Sequence, residues 1–262
     1  MATIEKHAPG SFCWFELATT DQAAAKKFYN GIFGWEASDS PMGPGEYYTM
    51  FKLEGRDAAA AYTMRPDQRL QGVPPYWAIY VAVTSADDTA ARAQQLGGTV
   101  LAPAFDVMDY GRMAVIQDPT GAVFSIWQPL KHHGTGISEV DGTVCWADLN
   151  TSDPDKAGKF YSDLFGWSVI RDEHDPSGYL HIKNGETFIG GAPPASRFNP
   201  KMLPHWLLYF QTSDCDAVAA KAKTLGANIY LPPMTMENVG RMSVMADPQG
   251  AVFSLFQPMS RK

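Results

Sequence analysis

Two segments of the sequence place a tryptophan and a carboxylate two positions apart. They are Trp14 with Glu16 and Trp146 with Asp148. Both segments alternate large and small residues like a half-buried strand, and alternate residues of a strand share one face. A carboxyl group among indole rings has a raised pKa, which suits a general acid or base. We therefore predict Glu16 and Asp148 as catalytic residues, with Trp14 and Trp146 in the adjoining binding site.

Two arginines are candidates for ligand binding and also offer a structural role for Glu16 and Asp148. Arg112 and Arg241 lie in Gly-Arg-Met segments that occur twice in the chain. A guanidinium group binds the carboxylate or enolate oxygens of a ligand as a fork. It can equally form an internal salt bridge, in which Glu16 and Asp148 would be purely structural partners. The sequence leaves both alternatives open.

Tyrosines and one histidine are further candidates for substrate binding. Tyr48 and Tyr179 occupy like places in two copies of a strand pattern, and Met50 in one copy corresponds to His181 in the other. A histidine in one copy only is the asymmetry that a single working site would leave. A lone histidine on a strand is, however, more often a packing residue.

Length, composition and charge narrow the class of protein. The chain has 262 residues, of which 45% are hydrophobic, and a formal net charge of −7. Affinity for nucleic acid comes mainly from basic side chains, so this acidic chain is not expected to bind it. The sequence has neither an apolar signal segment nor about 18 uncharged apolar residues in a row. We expect a soluble, cytoplasmic protein that does not enter a membrane.

The sequence repeats itself over its length. The segment DPTGAVFSIWQP begins at Asp118 and returns as DPQGAVFSLFQP at Asp247, 129 positions later. The pairs Phe28-Tyr29 and Phe160-Tyr161 are 132 positions apart, so loops in the second copy are shorter. Such self-similarity indicates a tandem duplication. We predict a first domain over residues 1–129, a flexible linker over 130–142 and a second domain over 143–262.

Each copy contains the same series of elements twice. A strand in CWFELATT is followed by a helix that begins after Asp21 and is closed by Gly34. Short strand-like runs follow, and after Pro74-Pro75 the order of strand, helix and strands recurs. The quarter of the chain is thus a βαβββ module, and four modules give an α+β fold.

The modules, the helix motif D-x4-6-FY-x3-(L/F)G(W/M) and the closing DPxG strand resemble the glyoxalase/bleomycin-resistance/dioxygenase superfamily, the vicinal oxygen chelate superfamily. The resemblance covers almost the whole chain. It implies two cup-shaped mixed sheets, each able to hold a small ligand. The segments W-x-(D/E)-L, GRM and DPxGAxFS resemble a tandem-domain subgroup often labelled hydroxylase or glyoxalase.

In metal-using members of that superfamily, His and Glu ligands project into the cup from the first and last strands of each module. The resemblance puts these positions at Trp14 and Trp146 on the opening strands and at Ser125 and Ser254 on the closing strands. Tryptophan does not bind a metal and neutral serine binds one poorly. The resemblance therefore implies cups without the inherited metal site, and no cofactor is predicted. Two middle positions fall on Trp77 or Ala78, and on Trp206 or Leu207.

Strand alternation extends the predicted cup wall from the two serines. Trp127 shares a face with Ser125, and Phe256 shares a face with Ser254. All four residues are predicted to contact the ligand.

Two functions from different classes fit these residues. One is a metal-independent lyase, isomerase or hydroxylase-like enzyme acting on a small aromatic or carbonyl compound. The other is a non-catalytic protein that binds or sequesters an antibiotic-like small molecule. Fold alone does not choose between them. In either case the partner is a small molecule, and the protein is expected to be a monomer or a homodimer.

Overall fold

The protein consists of two eight-stranded mixed sheets, one from each half of the chain. The computed structural model describes residues 2–171 and 175–259. Each sheet combines two βαβββ modules, which confirms the predicted α+β class and the four-module organisation.

The first half begins with a short strand and joins its two modules through a five-residue helix. In chain order its elements are β1 (Ala2–Thr3), β2 (Phe12–Thr19), α1 (Gln22–Phe33), β3 (Glu36–Gly43), β4 (Glu46–Leu53), β5 (Arg56–Thr63), α2 (Pro66–Leu70), β6 (Tyr76–Ala82), α3 (Ala86–Gln95), β7 (Thr99–Val107), β8 (Gly111–Gln117) and β9 (Val123–Pro129).

The second half repeats this series, with a short 3-10 helix between its modules at Ala195–Arg197. Its elements are β10 (Ile137–Ser138), β11 (Val144–Asn150), α4 (Pro154–Phe165), β12 (Ser168–Arg171), β13 (Leu180–Asn184), β14 (Thr187–Ala192), β15 (His205–Gln211), α5 (Cys215–Thr224), β16 (Asn228–Met236), β17 (Gly240–Ala246) and β18 (Val252–Pro258).

The two modules of each half meet along their opening strands. The strand order is β3-β4-β5-β2-β6-β9-β8-β7 in the first sheet and β12-β13-β14-β11-β15-β18-β17-β16 in the second. β2 runs antiparallel to β6, and β11 runs antiparallel to β15. Each cup is therefore built from both modules of one half, a pairing that the sequence left open.

The helices start and stop where the sequence predicts. The Asp21 side chain accepts a hydrogen bond from the backbone N–H of Ala24 and so caps α1. Gly34 ends the helix with a φ of 70°, a left-handed conformation that glycine adopts without strain. The buried face of α1 contains Phe28 and Tyr29, which pack into a hydrophobic core shared by both halves.

A pair of buried bridges joins the two halves. The Trp77 indole N–H donates to the Tyr29 hydroxyl at 3.0 Å, and that hydroxyl donates to Asp247 of the other half at 3.0 Å. The equivalent bridge runs in the opposite direction, through Trp206, Tyr161 and Asp118.

The aspartate of the repeated DPxG segment takes part in these bridges. Asp118 uses its Oδ1 atom to accept hydrogen bonds from the backbone N–H groups of Thr120, Gly121 and Ala122, which fixes the turn between β8 and β9. Its Oδ2 atom accepts from Tyr161. One aspartate thus both closes the hairpin of its own half and binds the helix of the other half.

The segment over residues 130–142, predicted as a flexible linker, forms backbone hydrogen bonds with both halves. β10 pairs with β1, and the Thr135 N–H donates to the Cys13 carbonyl oxygen at 2.8 Å. Gly134 has a φ of 105°, and a Cβ there would lie 2.2 Å from that same oxygen. The close approach therefore requires glycine at this position.

Of the helices that the structure describes, none is both long and apolar enough to span a lipid bilayer.

Candidate functional site

The first cup is the face of the first sheet that points away from the helices, and a carboxylate lies at its centre. Glu16 accepts a hydrogen bond from the Tyr48 hydroxyl at Oε1 and from the Tyr80 hydroxyl at Oε2, both at 2.7 Å. The Trp14 indole N–H donates to the Tyr48 hydroxyl at 3.0 Å. Trp14 and Tyr80 are buried, whereas Glu16 and Tyr48 are partly exposed. We call these four residues the first carboxylate cluster.

The second cup, on the equivalent face of the second sheet, contains a matching cluster. The Tyr179 hydroxyl donates to Asp148 Oδ1 at 2.5 Å, and the Tyr209 hydroxyl donates to Oδ2 at 2.7 Å. The Trp146 indole N–H lies 2.8 Å from the Tyr179 hydroxyl and 3.1 Å from Asp148 Oδ1. Asp148 is only 6% exposed, while Trp146 and Tyr179 are partly exposed. These four residues form the second carboxylate cluster.

Burial raises the pKa of both carboxyl groups above the ordinary value. The hydrogen bonds that the tyrosines donate oppose this effect but are smaller. Burial also raises the pKa values of Tyr48, Tyr80 and Tyr209, so these phenols stay neutral and act as donors. Each cup therefore holds a carboxyl group stabilised by neutral donors, an arrangement that permits proton transfer.

The two clusters differ by one methylene, and the neighbouring strand compensates for it. Ala60 of β5 lies opposite Glu16, and Gly191 of β14 lies opposite Asp148. A Cβ at Gly191 would lie 2.1 Å from the Tyr179 hydroxyl oxygen. The shorter aspartate thus requires its tyrosine to reach further inward, and the missing Cβ of glycine leaves the space for it.

The positions that the resemblance connects with metal ligands do not carry a metal-binding set. Trp77 and Trp206 lie in the core between the halves, which leaves Ala78 and Leu207 on the cup faces. Ser125 is buried in the first cup. Ser254 donates its hydroxyl to the Ser243 carbonyl oxygen at 2.9 Å, a bond within the sheet.

Tryptophan, alanine, leucine and serine at these positions do not fit a divalent ion, which needs imidazole or carboxylate ligands. No group of three or more His, Cys, Asp or Glu side chains suited to a metal occurs within residues 2–171 and 175–259. In both clusters the carboxylate oxygens are already bound to tyrosine hydroxyls.

The outer walls of the two cups differ. The Trp127 indole N–H donates to the His132 carbonyl oxygen at 2.9 Å, and the His132 ring stands edge-on to Trp14 with centroids 4.5 Å apart. Trp14 and Trp127 are buried as a result. In the second cup Phe256 replaces Trp127 and is partly exposed. Residues 130–138 therefore cover this side of the first cup.

Arg112 and Arg241 do not meet the carboxylate clusters. Arg112 forms salt bridges with Asp87 at 2.7 Å and Asp106 at 2.8 Å, and Arg241 pairs with Asp216 at 2.5 Å. Asp87 and Asp216 belong to α3 and α5, so both guanidinium groups lie on the helix side of their sheets. Both arginines therefore form internal salt bridges, although not with Glu16 or Asp148. Ligand binding by the arginines stays a prediction.

His181 lies in the second cup beside the cluster. Its ring centroid is 5.0 Å from that of Tyr179 and 6.4 Å from that of Trp146. Both ring nitrogens are buried and have no hydrogen-bond partner among the described residues. Met50 packs at the equivalent place in the first cup. The single-copy histidine is therefore a cup residue.

Sequence reasoning missed Tyr80 and Tyr209, which complete the clusters. Both lie two residues beyond the cup-facing positions Ala78 and Leu207, and they recur 129 positions apart. Period-two alternation along β6 and β15, combined with the repeat, was the signal that identifies them.

The fold and these paired cups define a tandem protein of the glyoxalase type. The chain belongs to the Glyoxalase/Bleomycin resistance protein/Dioxygenase superfamily, whose family model matches residues 11–126 and 143–255. The predicted family resemblance is thereby confirmed.

Among curated proteins, the chain is 40% identical to "Putative glyoxylase CFP32" from Mycobacterium tuberculosis, with 98% of both chains covered. It is 33% identical to "Anthracycline biosynthesis protein DnrV" from Streptomyces peucetius, with 97% of this chain and 95% of the relative covered.

Solved structures share the fold at low sequence identity. The Mn(II)-bound glyoxalase from Novosphingobium aromaticivorans gives a TM-score of 0.67 at 16% identity, with 96% of this chain and 83% of that chain covered. The 2,3-dioxygenase LapB from Pseudomonas sp. KL28 gives 0.66 at 14% identity, with 97% and 95% covered.

Proposed function

We propose that this protein binds a small planar aromatic or carbonyl compound in a cup, and that the carboxyl group at the centre of the cup transfers a proton. The observation that carries the proposal is the carboxylate held by two tyrosine hydroxyls in each half, partly exposed at Glu16 and buried at Asp148. Aromatic side chains surround both acids, which suits a planar ligand.

The proposed chemistry is a metal-independent isomerisation or elimination. In an elimination the carboxylate accepts the proton and the neighbouring leaving group departs with its bonding electron pair as a carbon–carbon double bond forms. In an isomerisation the carboxylate accepts a proton from the carbon next to a carbonyl group and returns it at another atom of the same compound. Protons and electrons balance without an oxidant or a second substrate. Raising the pKa of the carboxyl group by burial strengthens it as the base. Each tyrosine hydroxyl has one proton, which it donates to the carboxylate; once the carboxylate takes up the substrate proton, a released hydroxyl can donate to the oxyanion.

The names of the relatives support a fused-ring ligand. Anthracyclines are polycyclic aromatic compounds with ketone and phenol groups, and two curated relatives are named for their biosynthesis. Such a compound offers both a planar face and an acidic C–H next to a carbonyl group.

The test separates binding from turnover. Intrinsic tryptophan fluorescence is measured against a panel of hydroxylated quinones, aryl ketones and 2-oxoaldehydes, and turnover is followed by absorbance with and without a chelator. We expect Glu16→Gln or Asp148→Asn to abolish turnover and to retain fluorescence quenching. Glu186→Gln, at a fully exposed acid, is the matched control and should keep both. A chelator that abolishes turnover, with recovery on adding a metal, would contradict the metal-independent mechanism.

A second candidate function is binding without chemistry. Asp148 accepts three hydrogen bonds, which leaves its carboxylate firmly held and with little free acceptor capacity. An acid used only to fix the tyrosines and the indole would give the same geometry. In that case Asp148→Asn would change ligand affinity, and no compound of the panel would be converted.

A further inference from the structure

The second cup contains a polar group whose hydrogen-bonding capacity nothing in the described chain satisfies. Nδ1 and Nε2 of His181 are both buried without a partner. Polar atoms in a protein interior almost always have partners, so a ring with two unsatisfied nitrogens is destabilising by itself. A phenolic or amide group from outside the chain would remove that penalty.

The first cup shows that the fold does not need a histidine at this place. Met50 occupies the corresponding position on β4 and packs against the buried cluster of the first cup. The unpartnered imidazole nitrogen beside that cup is Nε2 of His132, 3.8 Å from Asp57. Methionine fills irregular apolar space easily. The fold therefore accommodates an apolar side chain at this place, and the two His181 nitrogens are left for a ligand.

The two cups also differ in access. In the first cup Trp14 is 4% exposed, beneath His132. In the second cup Trp146 and Phe256 are partly exposed, and the ring that stands edge-on to Trp146 is His181 itself, with centroids 6.4 Å apart. Phe188, which is 51% exposed, stacks edge-on to His181 at 5.7 Å. The imidazole thus has a largely exposed side chain against it.

We infer that the second cup is the ligand site of this chain and that His181 binds a ring hydroxyl of a neutral phenolic ligand. A neutral imidazole offers one donor and one acceptor nitrogen, and a phenol both donates and accepts. The walls formed by Trp146, Tyr179 and Phe256 suit an aromatic ring. Asp148 at the centre disfavours an anionic ligand. This inference rests on the proposed function. It adds that the second cup is the site, that His181 binds the ligand and that one ligand binds per chain.

The test uses two probes that differ only in their hydrogen-bond donor, 1-naphthol and 1-methoxynaphthalene, titrated into the full chain by calorimetry. We expect one naphthol to bind per chain, about tenfold more tightly than the ether, as the loss of one buried hydrogen bond implies. His181→Met should remove this preference. The same variant should raise the midpoint of thermal unfolding by about 2–4 °C because it removes the unsatisfied nitrogens.

Two further variants keep the inference open to contradiction. His181→Gln retains a donor and an acceptor and should keep part of the preference for naphthol. Met50→His places the same group in the covered first cup and should lower the unfolding midpoint without adding a second binding site. An unchanged preference in His181→Met, or a fall in its unfolding midpoint, would overturn the assignment of His181. If neither probe nor any compound of the wider panel binds the unaltered chain, the proposed function itself is wrong.

Discussion

The two cups of this protein have the same hydrogen-bonding plan and a different distribution of exposure. In the first cup Trp14 is buried and Glu16 is partly exposed; in the second, Asp148 is buried and Trp146 is partly exposed. The longer acid projects further, and the linker covers the indole beside it. Both halves thus contain a carboxylate, two tyrosines and a tryptophan. The length of the acid and the segment over the first cup determine which part of each cluster is exposed.

Within each carboxylate cluster, the length of the acid and the size of the neighbouring strand residue compensate for each other. Asp148 is one methylene shorter than Glu16, and Gly191 stands where the first half has Ala60. The two changes are coupled through Tyr179, whose hydroxyl occupies the space of the absent Cβ. Substitutions that exchange one part of a cluster should therefore be tolerated differently in the two halves.

The largest effect is expected from Gly191→Ala. The added Cβ would lie 2.1 Å from the Tyr179 hydroxyl oxygen, and that oxygen is fixed by Asp148 and Trp146. We expect a loss of about 2–3 kcal/mol in the free energy of unfolding, measured by urea denaturation. The control Ala60→Gly removes a methyl group where none is in the way and should cost no more than about 1 kcal/mol. Equal losses in the two variants would show that the clusters are not coupled to these positions.

The next effect concerns the tyrosines of the central strands. Tyr209→Phe leaves Oδ2 of the buried Asp148 without its donor, and we expect a loss of about 2 kcal/mol in the free energy of unfolding. Tyr80→Phe removes the corresponding donor from Glu16, which water reaches, so a loss of about 1 kcal/mol is expected. Urea denaturation of both variants measures the difference. A larger loss in Tyr80→Phe would mean that the greater burial of Asp148 does not decide the cost of losing a donor.

Glu16 and Asp148 should contribute differently to the dependence of stability on pH. Burial raises the pKa of both in the folded state, so the native protein binds the proton more tightly than the unfolded chain. Stability from this source is fully present below the unfolded carboxyl pKa of about 4, and it is lost as pH rises through the raised folded pKa. Asp148→Asn should remove part of this pH-dependent loss, and Glu16→Gln should remove less because Glu16 is partly exposed.

The measurement is the slope of the unfolding free energy against pH, from urea denaturation at closely spaced pH values. Slopes are compared because each amide also changes the hydrogen bonds of its cluster at every pH. A wild-type stability that rises across this pH range and loses its rise in Asp148→Asn would mean that the hydrogen bonds outweigh burial and that the folded pKa is lowered.

Much of the fold was predictable because its signals are local or repeated. The cap at Asp21, the left-handed Gly34 and the recurring DPxG turn each fix a short piece of backbone, and the repeat offset confirms each one in a second copy. The same logic correctly placed Glu16 two residues beyond Trp14 on one face. Tyr80 was within reach of this reasoning, since it follows Ala78 at the same spacing.

The arginines and the linker were not predictable in the same way. Both faces of β8 are apolar, because Met113 faces the cup while Ala114 and Ile116 face the core, so alternation does not tell which face Arg112 shares. The segment that covers the first cup approaches the Cys13 carbonyl oxygen at Gly134 and Thr135, residues that are far apart from Cys13 in the chain. No local pattern encodes such a contact, and composition alone favoured a flexible segment.

The smallest effect is expected where the outer walls differ. Trp127→Phe gives the first cup the wall residue that Phe256 supplies in the second, and it removes the bond to the His132 carbonyl oxygen. We expect a loss of about 1 kcal/mol in the free energy of unfolding. In a Trp146→Phe background, acrylamide should quench a larger share of the fluorescence once Trp127 is replaced, because Trp14 becomes accessible. If quenching stays the same, the cover is held by the backbone contacts of Gly134 and Thr135 with β2, and the asymmetry of the cups then arises from the path of the chain between the halves and not from the wall residue.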